Sequence, residues 1–229
     1  MRCCALFSGG KDSVMALYKS MKQNEISVLL SIIPERDDSY MYHVPNITLT
    51  KHSAEAIGIP IVMEKTSGKP PEENLDLKKA LEKIKKKYKI DAVVAGAVGS
   101  NYQYNIVKKI CDKLGLKVIT PYWQKSHEEL IKEAITAGFE IIIVGVYAHG
   151  LDDSWLGRKL DLDALAELKN LNRKFGINIG GEGGEYETLV LDGPIFKKRM
   201  EIVESSRRWD GVRGELIIKN IKLINKNKL

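Results

Sequence analysis

Apolar residues fall in two rhythms along this chain. Short, mainly apolar runs at 3–7, 27–33, 59–63, 91–96, 117–120 and 139–146 have strand length and end in Gly, Pro or polar clusters. Between them apolar positions recur at helical spacing, as in Val14, Leu17, Tyr18 and Met21, or Leu75, Leu77, Leu81, Ile84 and Tyr88. Stop and start signals agree with that spacing. A helix over 50–57 is closed by Gly58, one ending at Leu114 by Gly115, and Ser126 with Glu129 forms a capping box for a helix closed by Gly138. Runs that are apolar throughout, rather than alternating, suit strands covered on both faces. Residues 1 to about 145 therefore predict an α/β fold, a doubly wound parallel sheet whose six strands include 139–146.

The rhythm changes after residue 147. One helix over 163–175 and strand-like runs at 189–191, 196–203 and 215–224 predict a smaller α+β C-terminal domain. The expected division is a domain over 1–147 and a second over 148–229.

Composition narrows the picture only a little. Lys and Arg exceed Asp and Glu by 36 − 30 = 6, which suits a polyanionic partner without specifying one. Many lysines lie on helical faces, such as Lys78, Lys79, Lys83 and Lys86, where a solvated surface is the simpler reading. Three cysteines make neither a disulfide framework nor a metal pair. Cys3 and Cys4 should point to opposite faces of the first strand, and Cys111 falls on a helix. The apolar runs are too short for a membrane span, so a cytoplasmic protein with no membrane partner is expected. The sequence leaves open whether the chain forms a homo-oligomer.

The candidate chemistry begins at Ser8-Gly9-Gly10-Lys11-Asp12-Ser13, between the first strand and the first helix. Two glycines allow a sharp turn, and the helix N-terminus behind it favours an anion. Lys11 adds a full charge, and Ser8 and Ser13 add hydroxyls. Asp12 fits such a site as a helix cap, as a Mg²⁺ ligand, or as both. The Walker spacing is absent. In doubly wound sheets, ligands bind outside the carboxyl ends of the strands. The loops after strands one, two and four then carry the site, which adds His43 and Gly96, Ser100 and Gln103. His43 reads equally as a phosphate donor or a loop cap.

A second dense signal is GGEGGEYET, residues 180–188. Glu182, Glu185 and Glu187 crowd three carboxylates into six residues, either as a cation-binding or proton-accepting site or as a solvated acidic hairpin. The two readings are evenly balanced on composition. Trp155, beside Asp152 and Asp153, presents its face to a ligand cation or covers a domain junction; taken alone, the second is the simpler.

Several motifs, in order over nearly the whole chain, resemble the diphthine–ammonia ligase family. They are SGGKDS, Tyr42 to Asn46, Ser100-Asn101-Tyr102-Gln103, Pro121-Tyr122-Trp123, 151–157 and 181–188. SGGKDS itself resembles the PP-loop of ATP pyrophosphatases, whose sheet is HUP-like. Tyr104-Asn105-Ile106 departs from the family, which often carries a basic residue there. The resemblance implies an ATP-dependent ligase that amidates diphthine on translation elongation factor 2. ATP would form an acyl-adenylate, releasing pyrophosphate, and ammonia would displace AMP. It further implies that Ser8, Gly9, Gly10, Lys11 and Ser13 hold the pyrophosphate with Mg²⁺ near Asp12. We expect Lys11, Glu182, Glu185 and Glu187 to be catalytic. Trp155, Tyr186 and Asp152 would form a cage for the substrate's trimethylammonium group. No glutaminase-like segment is visible, so free ammonium is the expected nitrogen source. A PP-loop enzyme of RNA modification, of the lysidine or thiolation type, ranks second, because thiolation wants a reactive cysteine near the site. Nucleic acid is accordingly not the expected partner. A non-catalytic adenine-nucleotide sensor ranks third.

Overall fold

Two adjacent cysteines show how the first strand is used. In a computed structural model that describes residues 1–34, 46–66 and 72–226, Cys3 and Cys4 are both fully buried but belong to different cores, one on each face of the sheet. The strand that carries them, β1 (Arg2–Leu6), is the middle of five. The chain runs on through α1 (Lys11–Met21), β2 (Glu25–Pro34), α2 (Thr50–Ile57), β3 (Ile61–Thr66), α3 (Glu72–Tyr88), β4 (Ala92–Val94), α4 (Asn101–Leu114) and β5 (Lys117–Ile119). The order β3-β2-β1-β4-β5, all parallel, puts the reversal of direction between β1 and β4. Phosphate turn and 96–103 loop both leave strand ends at this point, where a crevice opens.

α3 and α4 cover one face through Leu77, Leu81, Val107 and Cys111. α1 and α2 cover the other through Val14, Leu17, Ala56 and Ile57. Helices on both faces explain why the strands read as unbroken apolar runs.

The remaining elements are α5 (His127–Thr136), β6 (Glu140–Val146), α6 (Leu162–Phe175), β7 (Tyr186–Asp192), β8 (Lys198–Trp209) and β9 (Gly214–Asn225). Here the structure corrects the sequence reading. The run at 139–146 does not extend the parallel sheet. β6 lies inside a separate antiparallel sheet of order β7-β6-β9-β8. The break between sheets thus falls before β6, not at 147. A buried apolar run states that both faces are covered, but not which strand lies alongside. β6 is enclosed because α1 and α2 are sandwiched between the two sheets. Ile141, Val144 and Leu189 join the same core as Ala5 and Leu17. Among the described residues no helix is long and apolar enough to cross a membrane.

Candidate active site

The phosphate turn is shaped largely by its own short side chains. Ser13 Oγ accepts the Ser8 N–H at 3.3 Å and the Ser8 hydroxyl at 3.2 Å, and donates to the Gly10 carbonyl at 3.0 Å. Gly10 precedes α1 in extended conformation, with no side-chain cap. Gly96, after β4, lies directly against the start of α1. A Cβ there would sit 2.8 Å from Ser13 N and 2.9 Å from the Asp12 carbonyl carbon, so the position demands glycine. Gly9 faces away from the cavity, toward Leu189 and Thr50.

The second sheet also holds this turn. Val190 N–H donates to the Gly9 carbonyl at 3.0 Å, and Lys11 N–H donates to Thr188 Oγ1 at 3.1 Å. One of the N–H groups expected for phosphate is therefore engaged by β7. Lys11 is 3% exposed, and a buried cation must be paired. Its ammonium donates to Asp12 Oδ2 at 2.9 Å and to the Gly180 carbonyl, and lies 5.3 Å from the centre of the Tyr186 ring. Burial works against its charge, but Asp12, Tyr186 and Glu187 outweigh it and push the Lys11 pKa up. Asp12 Oδ1 is buried with no hydrogen-bond partner among the described residues. An orphaned carboxylate oxygen beside a phosphate turn fits a hard cation such as Mg²⁺. No cluster of three metal-ligating residues occurs among the described residues, so phosphate oxygens would have to complete such a shell.

Phosphate turn, 96–103 loop and acidic glycine loop open onto one cavity of about 840 Å³. Its walls include Ser8, Gly10, Lys11, Asp12 and Ser13, then Gly96, Ser100 and Gln103, then Glu182, Tyr186 and Glu187. Ser100 caps α4, accepting the Gln103 N–H at 3.3 Å. His43 lies outside the described residues.

The three glutamates part company. Glu182 Oε1 accepts the N–H groups of Gly99 and Ser100, each at 2.6 Å, and Oε2 lies 2.8 Å from His127 Nε2. Burial opposes its charge, but His127 and the two N–H groups outweigh that and bring its pKa down to about 2. A carboxylate so held is a poor base; Glu182 fastens the acidic loop to the 96–103 loop and to α5. Glu185 does not line the cavity. It accepts the N–H groups of Asn178 at 2.9 Å and Gly183 at 2.8 Å, and so shapes its own loop. Glu187 does line the cavity. Burial raises its pKa to about 7, with Lys11 opposing and Asp12 assisting. Of the three, it alone combines access to the cavity with a pKa suited to taking a proton near neutrality.

The expected aromatic cage does not assemble. Trp155 is 4% exposed, packed in the core, with the Arg158 guanidinium 4.4 Å from its ring centre. The tryptophan is a buried core residue. Asp152 caps its own short turn by accepting the Ser154 N–H at 3.0 Å. Tyr186 lines the cavity, but its hydroxyl donates to the Ile179 carbonyl at 2.6 Å and the cation near its ring is Lys11.

Sequence reasoning missed His127, Thr188, Tyr147 and Arg213. Thr188 stood inside the glycine motif, and alternation along the following strand would have put it on the Tyr186 face. His127 stood in the capping box of α5 with nothing local to signal its reach to Glu182. Tyr147 and Arg213 line the cavity from just after β6 and just before β9, whose pairing is not legible locally.

Known proteins match this chain over both of its parts. Residues 1–118 match the model of the diphthamide synthase N-terminal domain, and residues 126–224 that of its C-terminal domain. The chain is 35% identical to the diphthine–ammonia ligase of Mus musculus over 226 residues, covering 90% of this chain and 84% of the relative. It is 34% identical to that of Schizosaccharomyces pombe over 250 residues, covering 100% of this chain and 40% of the relative. A solved structure described as a predicted subunit of tRNA methyltransferase from Methanocaldococcus jannaschii has a TM-score of 0.44 and 18% identity over 84% of this chain and 97% of that one, a likeness too loose to carry an argument. With both domain models matched in order, and with the phosphate turn and the acidic loop meeting in one cavity, the chain belongs to the diphthamide synthase family.

Proposed function

We propose that this protein completes diphthamide synthesis by amidating diphthine on translation elongation factor 2. A diphthine carboxylate oxygen attacks the α-phosphorus of ATP, pyrophosphate leaves, and ammonia adds to the acyl carbon of the adenylate and expels AMP. One observation carries the reading: the phosphate turn and Glu187 face the same cavity. Lys11 and the free N–H groups at the start of α1 meet the charge that grows on the leaving pyrophosphate. Mg²⁺, held through Asp12 Oδ1 and the phosphates, would add a further positive charge there. Gly96 lets the 96–103 loop lie close against that turn, and Ser100 and Gln103 close the nucleotide end of the cavity. Glu187 takes the proton that nitrogen must shed once it has added to the acyl carbon, which a group with a pKa near 7 can do. Tyr186 supports Lys11, and Glu182 and Glu185 fix the loop that carries the base.

The cysteines speak against thiolation. All three are buried, and burial pushes Cys4 up and Cys111 to about 12. The deciding assay is AMP formation with purified elongation factor 2 bearing diphthine, with and without ammonium. AMP formed only when both are present supports the reading. AMP formed equally with unmodified factor ends it.

A further inference from the structure

Two of the described residues that line the cavity are cationic, and they differ in one respect. Lys11 is occupied by Asp12 and the Gly180 carbonyl. Arg213 also lines the cavity, and its guanidinium makes no hydrogen bond or ion pair with any described residue. Facing them are Asp12, Glu182 and Glu187, so carboxylates outnumber cations on these walls. An anionic substrate entering here needs positive charge beyond Lys11, whose own charge is partly balanced by Asp12.

Arg213 is held at the cavity by sheet register. Tyr186 on β7 pairs with Val146 on β6, Val146 pairs with Gly214 on β9, and Gly214 pairs with Trp209 on β8. Four strands thus align in one row, and Arg213 stands one residue beyond it, at the end of the sheet where the acidic loop begins. Gly214 cannot drift. A Cβ there would lie 2.6 Å from the Trp209 ring and 3.0 Å from Leu156. The turn before it is also closed. Asp210 Oδ1 accepts the N–H groups of Val212 at 2.9 Å and Arg213 at 2.7 Å, and the Asp210 N–H donates back to the Arg213 carbonyl at 3.1 Å. The turn therefore fixes the backbone that carries the guanidinium at the cavity, where Asp210 is the carboxylate that shares its field, and leaves all its donors open to an oxygen anion.

We infer that Arg213 is an anion-binding residue of this cavity, reaching from the second sheet to take an anionic oxygen of a substrate, either a phosphate of the nucleotide or the carboxylate to be activated. The inference rests on the amidation reading for the second of those sources and is independent of it for the first. Bidentate geometry is the property that distinguishes Arg from Lys here.

The test compares wild type with Arg213→Ala and Arg213→Lys. Binding of ATP and of inorganic pyrophosphate is titrated by calorimetry without protein substrate, and KM and kcat are measured with elongation factor 2 bearing diphthine. Arg213 is exposed, so both variants should keep the wild-type melting temperature. If the anion is a nucleotide phosphate, Arg213→Ala weakens ATP or pyrophosphate binding by roughly 10–100-fold, with Arg213→Lys between. If it is the substrate carboxylate, nucleotide binding is unchanged and KM for the modified factor rises by a similar factor, with kcat within about threefold. All of these constants within twofold of wild type overturn the inference. A wild type that binds ATP but forms no AMP with the modified factor ends the amidation reading, and the nucleotide titration then decides Arg213 by itself.

Discussion

The phosphate turn and the acidic glycine loop are both rich in glycine and line the same cavity, yet the balance of local and distant bonds differs between them. The first takes its shape mainly within six residues, from Ser8, Gly10 and Ser13 bonding to one another, and β7 adds two bonds from outside. The second is tied across the chain, with Glu182 reaching 83 positions back to Gly99 and 55 back to His127. Its three glutamates share a motif but not a condition: one is held ionised, one is used as a loop cap, and one is pushed toward neutrality. A carboxylate's chemistry follows from what faces it, and a motif does not state that.

The contrast is most exposed to test at its two ends. Lys11→Ala should lower AMP formation the most, by roughly 10³-fold, because it removes the buried charge proposed to meet the leaving pyrophosphate. A loss under tenfold would take Lys11 out of the chemistry. Next comes Glu187→Gln, expected to cost roughly 10²–10³-fold in kcat, against no more than about threefold for Glu185→Gln, which should lower the melting temperature instead. Wild-type kcat should rise with pH through a midpoint near 7, and Glu187→Gln should flatten that limb. The same group makes a stability prediction of definite sign. Its folded pKa lies above the ordinary 4.5, so the folded chain holds more protons between about 4.5 and 7. Wild-type stability relative to Glu187→Gln should fall across that window, by on the order of 3 kcal/mol in urea titrations, and stay level above it. No change would mean that Glu187 is not desolvated.

Glu182 predicts the reverse sign with a smaller catalytic effect. Glu182→Gln and His127→Ala should each cost roughly tenfold in kcat/KM by loosening the clasp between the loops. The stability that Glu182 adds should be complete above about 4.5 and disappear as pH falls toward about 2, so wild type and Glu182→Gln should converge in acid. A difference that persists at low pH would show that shape, not charge, holds the clasp. Trp155→Phe is the mildest case. KM for the modified factor should stay within twofold while the melting temperature drops by a few degrees. A large rise in KM would restore the tryptophan to the substrate site.

Much of the first part was legible because its signals are local. Gly58, Gly115 and Gly176 end α2, α4 and α6 in the left-handed conformation that their position suggested. Ser126 caps α5 through the Glu129 N–H. The two faces of β1 follow from a period of two. Misreadings came where a partner far along the chain decides. β6 has the composition of a parallel strand and pairs antiparallel with β7 and β9. The cage reading of Trp155 came from the resemblance rather than from its neighbours; the ring is buried in the core with Arg158, three residues on, stacked against it.

The order of residues alone determined that a glycine turn with Lys11 would close the first strand, that helices would alternate with strands around it, and that carboxylates would crowd between glycines near residue 185. Those are consequences of backbone freedom and side-chain period, which act over a few residues. Tertiary structure alone decided which sheet β6 joined, which glutamate was desolvated at the cavity, and that Arg213 would come to it from the turn before β9. Pairing register and desolvation are properties of groups brought together by folding, and no short window of sequence contains both partners.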